Sequence, residues 1–291
     1  MITLWSRSVI GASEGRPSVS AMAQLVELVC GTWLEGLDLD ENASREVDTL
    51  RSVMADRVLD AVLSLAMFEQ ASGGAPSALD EGAWERDRTA ERAREEELAA
   101  EDPRDFTAPD YGEWRMKLSE QARRDVVRAK WSAGELPQEY ERRLPFLHAR
   151  TFLTSLAQLG RALHALAQLD TGEAQDEIAA ARDAFEDALP ALKPVRDSVE
   201  HAEDRMRGLD KRSTKMTLAP ITNSAIHAPG GGVLVGDMLT GRHFGCTVED
   251  GTYAEIEVSD ATVGVARAAV QRVYDALPWR THGYPRYIPS R

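Results

Sequence analysis

Three neighbouring residues, Arg196, Asp197 and His201, put a permanent cation, a carboxylate and an imidazole into one short stretch. Histidine as a side-chain type titrates near neutral pH and so can give or take a proton there. Asp197 and His201 are four apart and share a helix face, with Arg196 one step round the same helix. The surrounding segment, Leu189 to Gly208, carries its own punctuation. Pro194 is predicted at the first helical position, where a missing N–H costs nothing, and Gly208 is predicted at the stop. The orphan N–H groups of a first turn prefer an anion. Guanidinium, imidazole and helix start together suit a phosphate better than any other small partner.

The run Arg196-Asp197-Ser-Val-Glu-His201 resembles the signature of the HEPN superfamily, small helical bundles that are often metal-independent ribonucleases. That signature is an arginine, usually followed by a polar residue, with a histidine four to six residues further on. Arg143 to His148 has the same spacing, but Pro145 interrupts it and Leu144 stands in the polar place. The resemblance covers roughly residues 106–277 and implies cleavage of RNA by attack of its own 2′-hydroxyl on the adjacent phosphorus, leaving a cyclic phosphate. In that scheme His201 acts as general base or acid, Arg196 binds the non-bridging phosphate oxygens, and Asp197 orients one of them. No cofactor and no metal are implied. A homodimer is implied, with two motifs facing across a cleft, as are an RNA substrate and a toxin or antiphage setting with an antitoxin or other regulatory protein. The residues also admit a plainer reading, in which Arg196 pairs with Glu200 and Asp197 with His201 along one helix, each pair contributing about a few tenths of a kcal/mol. A non-catalytic HEPN-like module for protein or nucleotide binding is the function that goes with it.

A chain of 291 residues, 43% hydrophobic and 28% charged, can bury one large core or two modest ones. The formal charge of −14 argues against indiscriminate adhesion to nucleic acid, which depends on Lys and Arg neutralising phosphates. The acidity is uneven: residues 80–105 hold eleven acidic side chains against five arginines. Cys30 and Cys246 stand far apart, in no disulfide or zinc spacing, and are expected to be free packed thiols. No apolar run has the length of a membrane span, and the first residues lack the apolar core of a signal peptide, so a cytoplasmic protein is expected.

The elements that must position the motif read as mostly helical. Residues 1–17 show no period. A helix is predicted from residues 18–20 onward, with Met22, Leu25, Val26, Val29, Trp33 and Leu37 as its stripe, and a second over 42–71, the two forming an N-terminal hairpin. The break at 72–77 and the acidic, arginine-rich run after it, read as a solvated helix or connector, suggest two domains, 1–105 and 106–291. Helices over 114–133, 144–169 and 173–189 then join the motif helix in an up-and-down four-helix bundle of HEPN-like kind. The first of these is strongly basic, which suits solvated surface or a polyanion. A small antiparallel β meander follows at 233–238, 242–248 and 252–258, turning at Asp250-Gly251, and then a helix capped by Ser259. Pro229-Gly-Gly-Gly232 lacks the Lys-Ser/Thr ending of a phosphate loop and reads as a flexible loop. The tail from Pro278 interleaves aromatics with arginines, as an arm across a neighbouring subunit or a base-stacking segment would.

Overall fold

The computed structural model describes residues 27–31, 34, 41–72, 81–279 and 286–289. Its longest helix, α1 (Glu41–Ser72), carries Val47, Met54, Val58, Ala61, Leu65 and Phe68 at helical spacing, all of them buried. This stripe lies along α5 (Leu144–Leu166), whose Phe152, Leu153, Leu156, Leu159, Leu163 and Leu166 are likewise sealed from solvent. Each such side chain contributes roughly 1.5–3 kcal/mol on burial. On the other side of α5 packs α6 (Gln175–Ala188), which presents Ile178, Ala181 and Phe185 at spacings of three and four. Gly160 of α5 makes that approach possible, because a Cβ there would stand 3.2 Å from the Phe185 ring.

The last helix, α9 (Asp260–Ala276), completes the core by packing on both α6 and α1. Ser259 caps it as expected, its hydroxyl accepting from the Thr262 amide at 3.3 Å. The Tyr274 ring is fully buried, and its hydroxyl donates to the Arg51 carbonyl at 3.0 Å, tying α9 to α1. Trp279 meets Tyr274 edge-on at 6.1 Å and lies 5.5 Å beneath the Arg51 guanidinium. The apolar core therefore runs from α1 straight into α5 and α9, across the expected division at residue 105.

The N-terminal helical hairpin does not form as expected. Residues 27–30 are a strand, β1 (Glu27–Cys30), paired antiparallel with β7 (Arg286–Pro289). Leu28 and Cys30 are buried while Val29 is exposed, an alternation with the period of a strand. The free edge of β1 is held by Gln271 of α9, whose amide both accepts from the Val29 N–H and donates to its carbonyl, each at 2.9 Å. The remainder of the predicted first helix, Met22 and Leu37 included, lies outside the described residues. The tail at 286–289, expected to reach a neighbouring subunit or bases, closes on its own chain.

The meander forms with the expected order: β4 (Met238–Thr240), β5 (His243–Thr247) and β6 (Tyr253–Glu257) make one antiparallel sheet. Ile256 and Val258 face inward and Glu255 and Glu257 outward. Gly251 takes φ +84° in the β5–β6 turn, beside the Thr217 carbonyl, where a Cβ has no room. The strand expected to begin at Val233 starts only at Met238. A minimal hairpin, β2 (Ile221–Thr222) with β3 (His227–Ala228), precedes it.

The helices α2 (Glu81–Glu101) and α3 (Tyr111–Ser132) stand apart. They pack on each other as an antiparallel hairpin, touched at its base by α4 (Gln138–Glu141) through the Arg123–Glu139 pair and the Trp131–Tyr140 ring contact. No other helix or strand of the described residues packs substantially against this arm. The expected up-and-down grouping of 114–133 with the three following helices is therefore not what the chain adopts. The basic helix pairs with the acidic one before it, and α1 takes its place beside α5.

Candidate functional site

The motif lies on α7 (Leu192–Glu200) and the short α8 (Ala202–Met206). Leu192, Val195 and Ser198 turn inward against α5 and the meander, which leaves the other side of α7 for Arg196, Asp197 and Glu200. The helix starts at Leu192, so Pro194 is its third residue and not its first. Arg196 consequently sits a full turn inside the helix, away from the orphan N–H groups on which the anion preference was based. The helix expected to continue to 207 breaks at His201, whose φ of −114° and ψ of 40° are not helical. Its end at Gly208 is as expected: φ is +71°, and the Leu209 amide reaches back to the Asp204 carbonyl at 2.9 Å.

The guanidinium of Arg196 is already engaged. One nitrogen lies 3.0 Å from Asp197 Oδ1 and another donates to Glu200 Oε2 at 2.6 Å, with the side chain only 15% exposed. Two carboxylates around one guanidinium leave the spot net negative, and a phosphate would have to displace both. Among the described residues no hydrogen bond joins Asp197 to the His201 ring; of its two expected partners Asp197 meets Arg196. His201 is exposed, and among the described residues its ring meets no hydrogen-bond partner. The structure thus joins Arg196 with Asp197 and leaves His201 separate, at a break in the backbone.

A second arginine of this region escaped sequence reasoning. Arg205 is buried, donates to the Leu209 carbonyl at 2.6 Å, and comes to 4.0 Å from Glu249, which also takes Lys211 at 2.9 Å. Asp210, whose Oδ1 accepts from the Thr214 and Arg212 amides at 2.8 Å, has its carboxyl held below the usual range, first by the Thr214 amide. These contacts fasten the loop after α8 to the meander. Nearby, burial pushes the Cys246 thiol up to about 11, which keeps it protonated and unreactive near neutral pH. Among the described residues no group of three or more His, Cys, Asp and Glu side chains is placed to hold a metal, and no helix is long and apolar enough to cross a membrane.

The arm offers a different kind of surface. Among the described residues of α2 and α3 only Leu118 and Ala122 are buried. The two helices are joined by polar contacts: Arg94 to Asp125 at 2.9 Å, Arg115 to Glu95 at 3.4 Å, and Lys130 to Asp87. Of the six basic side chains of α3 that suggested a polyanion contact, Arg115 and Lys130 pair with α2, and Lys117, Arg123 and Arg124 pair with Glu113, Glu139 and Glu120. The signal for this was present in the chain, as an acidic helix followed by a basic one of almost equal length. Met116 and Trp131 remain 75% and 61% exposed on α3. No family model matches the chain, and no curated protein or solved structure matches it.

Proposed function

We propose that this protein is a non-catalytic helical module that works by binding another protein chain, with the α2–α3 arm as its contact surface. The observation that carries this reading is the arm itself: two long helices with almost no core between them, held by ion pairs and displaying large apolar side chains to water. A hairpin so poor in buried area gains stability when a partner covers it. The motif residues fit the same reading as surface pairs, since Arg196 is neutralised by Asp197 and Glu200. The test is direct. Purified full-length protein incubated with a broad RNA panel without metal should yield no cyclic-phosphate ends, and His201→Ala should behave like the parent.

One observation favours a second reading, the metal-independent endoribonuclease implied by the HEPN resemblance. His201 offers an exposed, unpartnered imidazole five residues after Arg196. An RNA entering there would have to free the guanidinium from its carboxylates before Arg196 could hold a phosphate. For this reading the required result is metal-independent cleavage by the parent protein that both His201→Ala and Arg196→Ala abolish while the circular dichroism spectrum stays unchanged. A toxin or antiphage role, with a regulatory partner, depends on that result.

A further inference from the structure

Residues 102–110 join α2 to α3 at the tip of the arm, away from α4, which meets Arg123 and Trp131. Phe106 stands in this connection and is 79% exposed, more than any other large apolar side chain among the described residues. Single exposed apolar residues are ordinary on a protein surface. This one is held out on a fixed turn. Asp105 Oδ1 accepts from the Thr107 amide at 2.8 Å and from the Thr107 hydroxyl at 2.7 Å, and the Ala108 amide donates to the Asp105 carbonyl at 3.0 Å, so both neighbours of Phe106 are pinned. Arg104 closes the turn from below, 2.5 Å from Asp110 and 3.7 Å from Asp102. Pro103 and Pro109, one on each side, fix a backbone angle apiece. A ring presented on so constrained a turn gives up little freedom when something covers it.

The charge around the ring is mainly of one sign. Residues 101–113 hold five carboxylates, Glu101, Asp102, Asp105, Asp110 and Glu113, against Arg104 alone, and all six side chains are exposed. Arg104 is engaged by Asp102 and Asp110, and Lys117 takes Glu113 at 2.6 Å. Glu101 has Arg94 at 4.0 Å, but that guanidinium lies closer to Glu97 and Asp125. Asp105 is in no salt bridge among the described residues, and the hydroxyl and amide of Thr107 hold its carboxyl below the usual range, so it stays ionised at neutral pH. Such a surplus of carboxylates disfavours nucleic acid and anionic lipid headgroups, both of which present phosphates. We propose that Phe106 is the anchor by which the arm docks into a second protein, one that offers an apolar pocket rimmed by lysine or arginine side chains. The ring fills the pocket and leaves water, while the carboxylates around it face the cations of the rim and fix the approach. This inference rests on reading the arm as the contact surface, and it names the part that is inserted and the chemistry of what receives it.

The experiment puts the photoreactive residue p-benzoyl-phenylalanine at position 106, 116 or 131 of the full-length protein, irradiates cells that make each chain, and purifies the protein cross-linked from position 106. The cross-linked peptide should line an apolar pocket with lysine or arginine at its rim. Phe106→Ala, which removes no packing at so exposed a position, should weaken binding of that purified partner by about thirtyfold or more, and Phe106→Leu by less. Asp105→Asn keeps an acceptor for Thr107 while removing the charge; combined with Glu101→Gln it should lower the affinity by about threefold to tenfold and make binding less sensitive to salt. A partner that holds Phe106→Ala as tightly as the parent overturns the anchor. So does RNA or lipid cross-linked from position 106, or binding that salt leaves unchanged. Cross-links from 116 or 131 without one from 106 overturn the anchor and leave the arm as the contact surface. No cross-linked protein from any of the three positions removes both.

Discussion

The body and the arm of this protein are both built from long helices, yet different forces hold them. In the body, α1, α5, α6 and α9 meet through aliphatic and aromatic side chains that are wholly sealed from solvent, Phe68, Phe152, Phe185 and Tyr274 among them. In the arm, α2 and α3 bury little more than Leu118 and Ala122 and rely on pairs such as Arg94 with Asp125. Hydrophobic burial is not screened by salt and gains with every methylene removed from water, whereas partly exposed ion pairs are weak and screened. Helical propensity alone therefore says nothing about how firmly a helix is held. The body is closed by its own apolar core, and the arm is held together mainly by polar contacts.

The contrast can be broken most severely from within the body. Phe152→Ala removes a fully buried ring at the α1–α5 seam and should cost about 3–5 kcal/mol of unfolding free energy. Chemical denaturation reads it directly, and a loss no larger than that of a surface substitution would mean that the seam is not the core. The arm should keep its helicity only as long as the body stays folded.

Alkali should act on the body by a separate route. Burial raises the Cys246 thiol from an ordinary 9.0 to about 11 and lifts the Tyr274 hydroxyl as well, so the folded state holds these protons more tightly than the unfolded one. The stability that Cys246 contributes by staying protonated is fully present below pH 9.0 and is lost as pH rises toward 11. For the thiol alone this is on the order of 2 kcal/mol. A denaturation midpoint that stays level up to pH 11 would contradict it. Cys246→Ser should flatten the part of the curve that belongs to the thiol.

Acid and salt should separate the regions in the opposite sense and by the smallest effect. Hydrogen bonding to Arg94 holds the Asp125 carboxyl below the usual range, so this pair supports the arm at neutral pH and is lost as pH falls through the lowered value. Asp125→Asn should speed amide exchange in α2 and α3 and leave the melting temperature of the body unchanged. Added salt should act likewise on the parent. If exchange in the arm were as slow as in α5, and deaf to both changes, the comparison between the regions would be wrong.

Periodicity in the chain was enough to locate α1, α5, α6, α9 and the meander, because each carries its own apolar stripe or alternation and needs no distant partner to be recognised. It misled at residues 27–30. Val29 fits the period of a helix within a longer stripe, but the tail at 286–289 offers a ladder and Gln271 closes the other edge. No local signal encodes a partner more than 250 residues away. The motif was legible as three residue types at suggestive spacings, and the Arg196–Glu200 pair was legible from its spacing of four, while the break at His201 and the turn of Asp197 to Arg196 were not. Arg205 was invisible for the same reason: only packing separates a buried arginine from a solvated one.

By itself the sequence determined where α1, α5, α6 and α9 lie, where the β turn at Asp250-Gly251 falls, and that acid and base are divided between two successive segments, since all of these depend on neighbours within a few residues. Tertiary structure alone decided that α1 and not α3 lies beside α5, that β1 pairs with β7, and that Arg205 is buried. Such outcomes follow from competition between surfaces brought together by the whole chain: α5 takes the partner with the wider apolar stripe, and α3, whose stripe is narrow and whose charge is positive, is left to the acidic helix that precedes it.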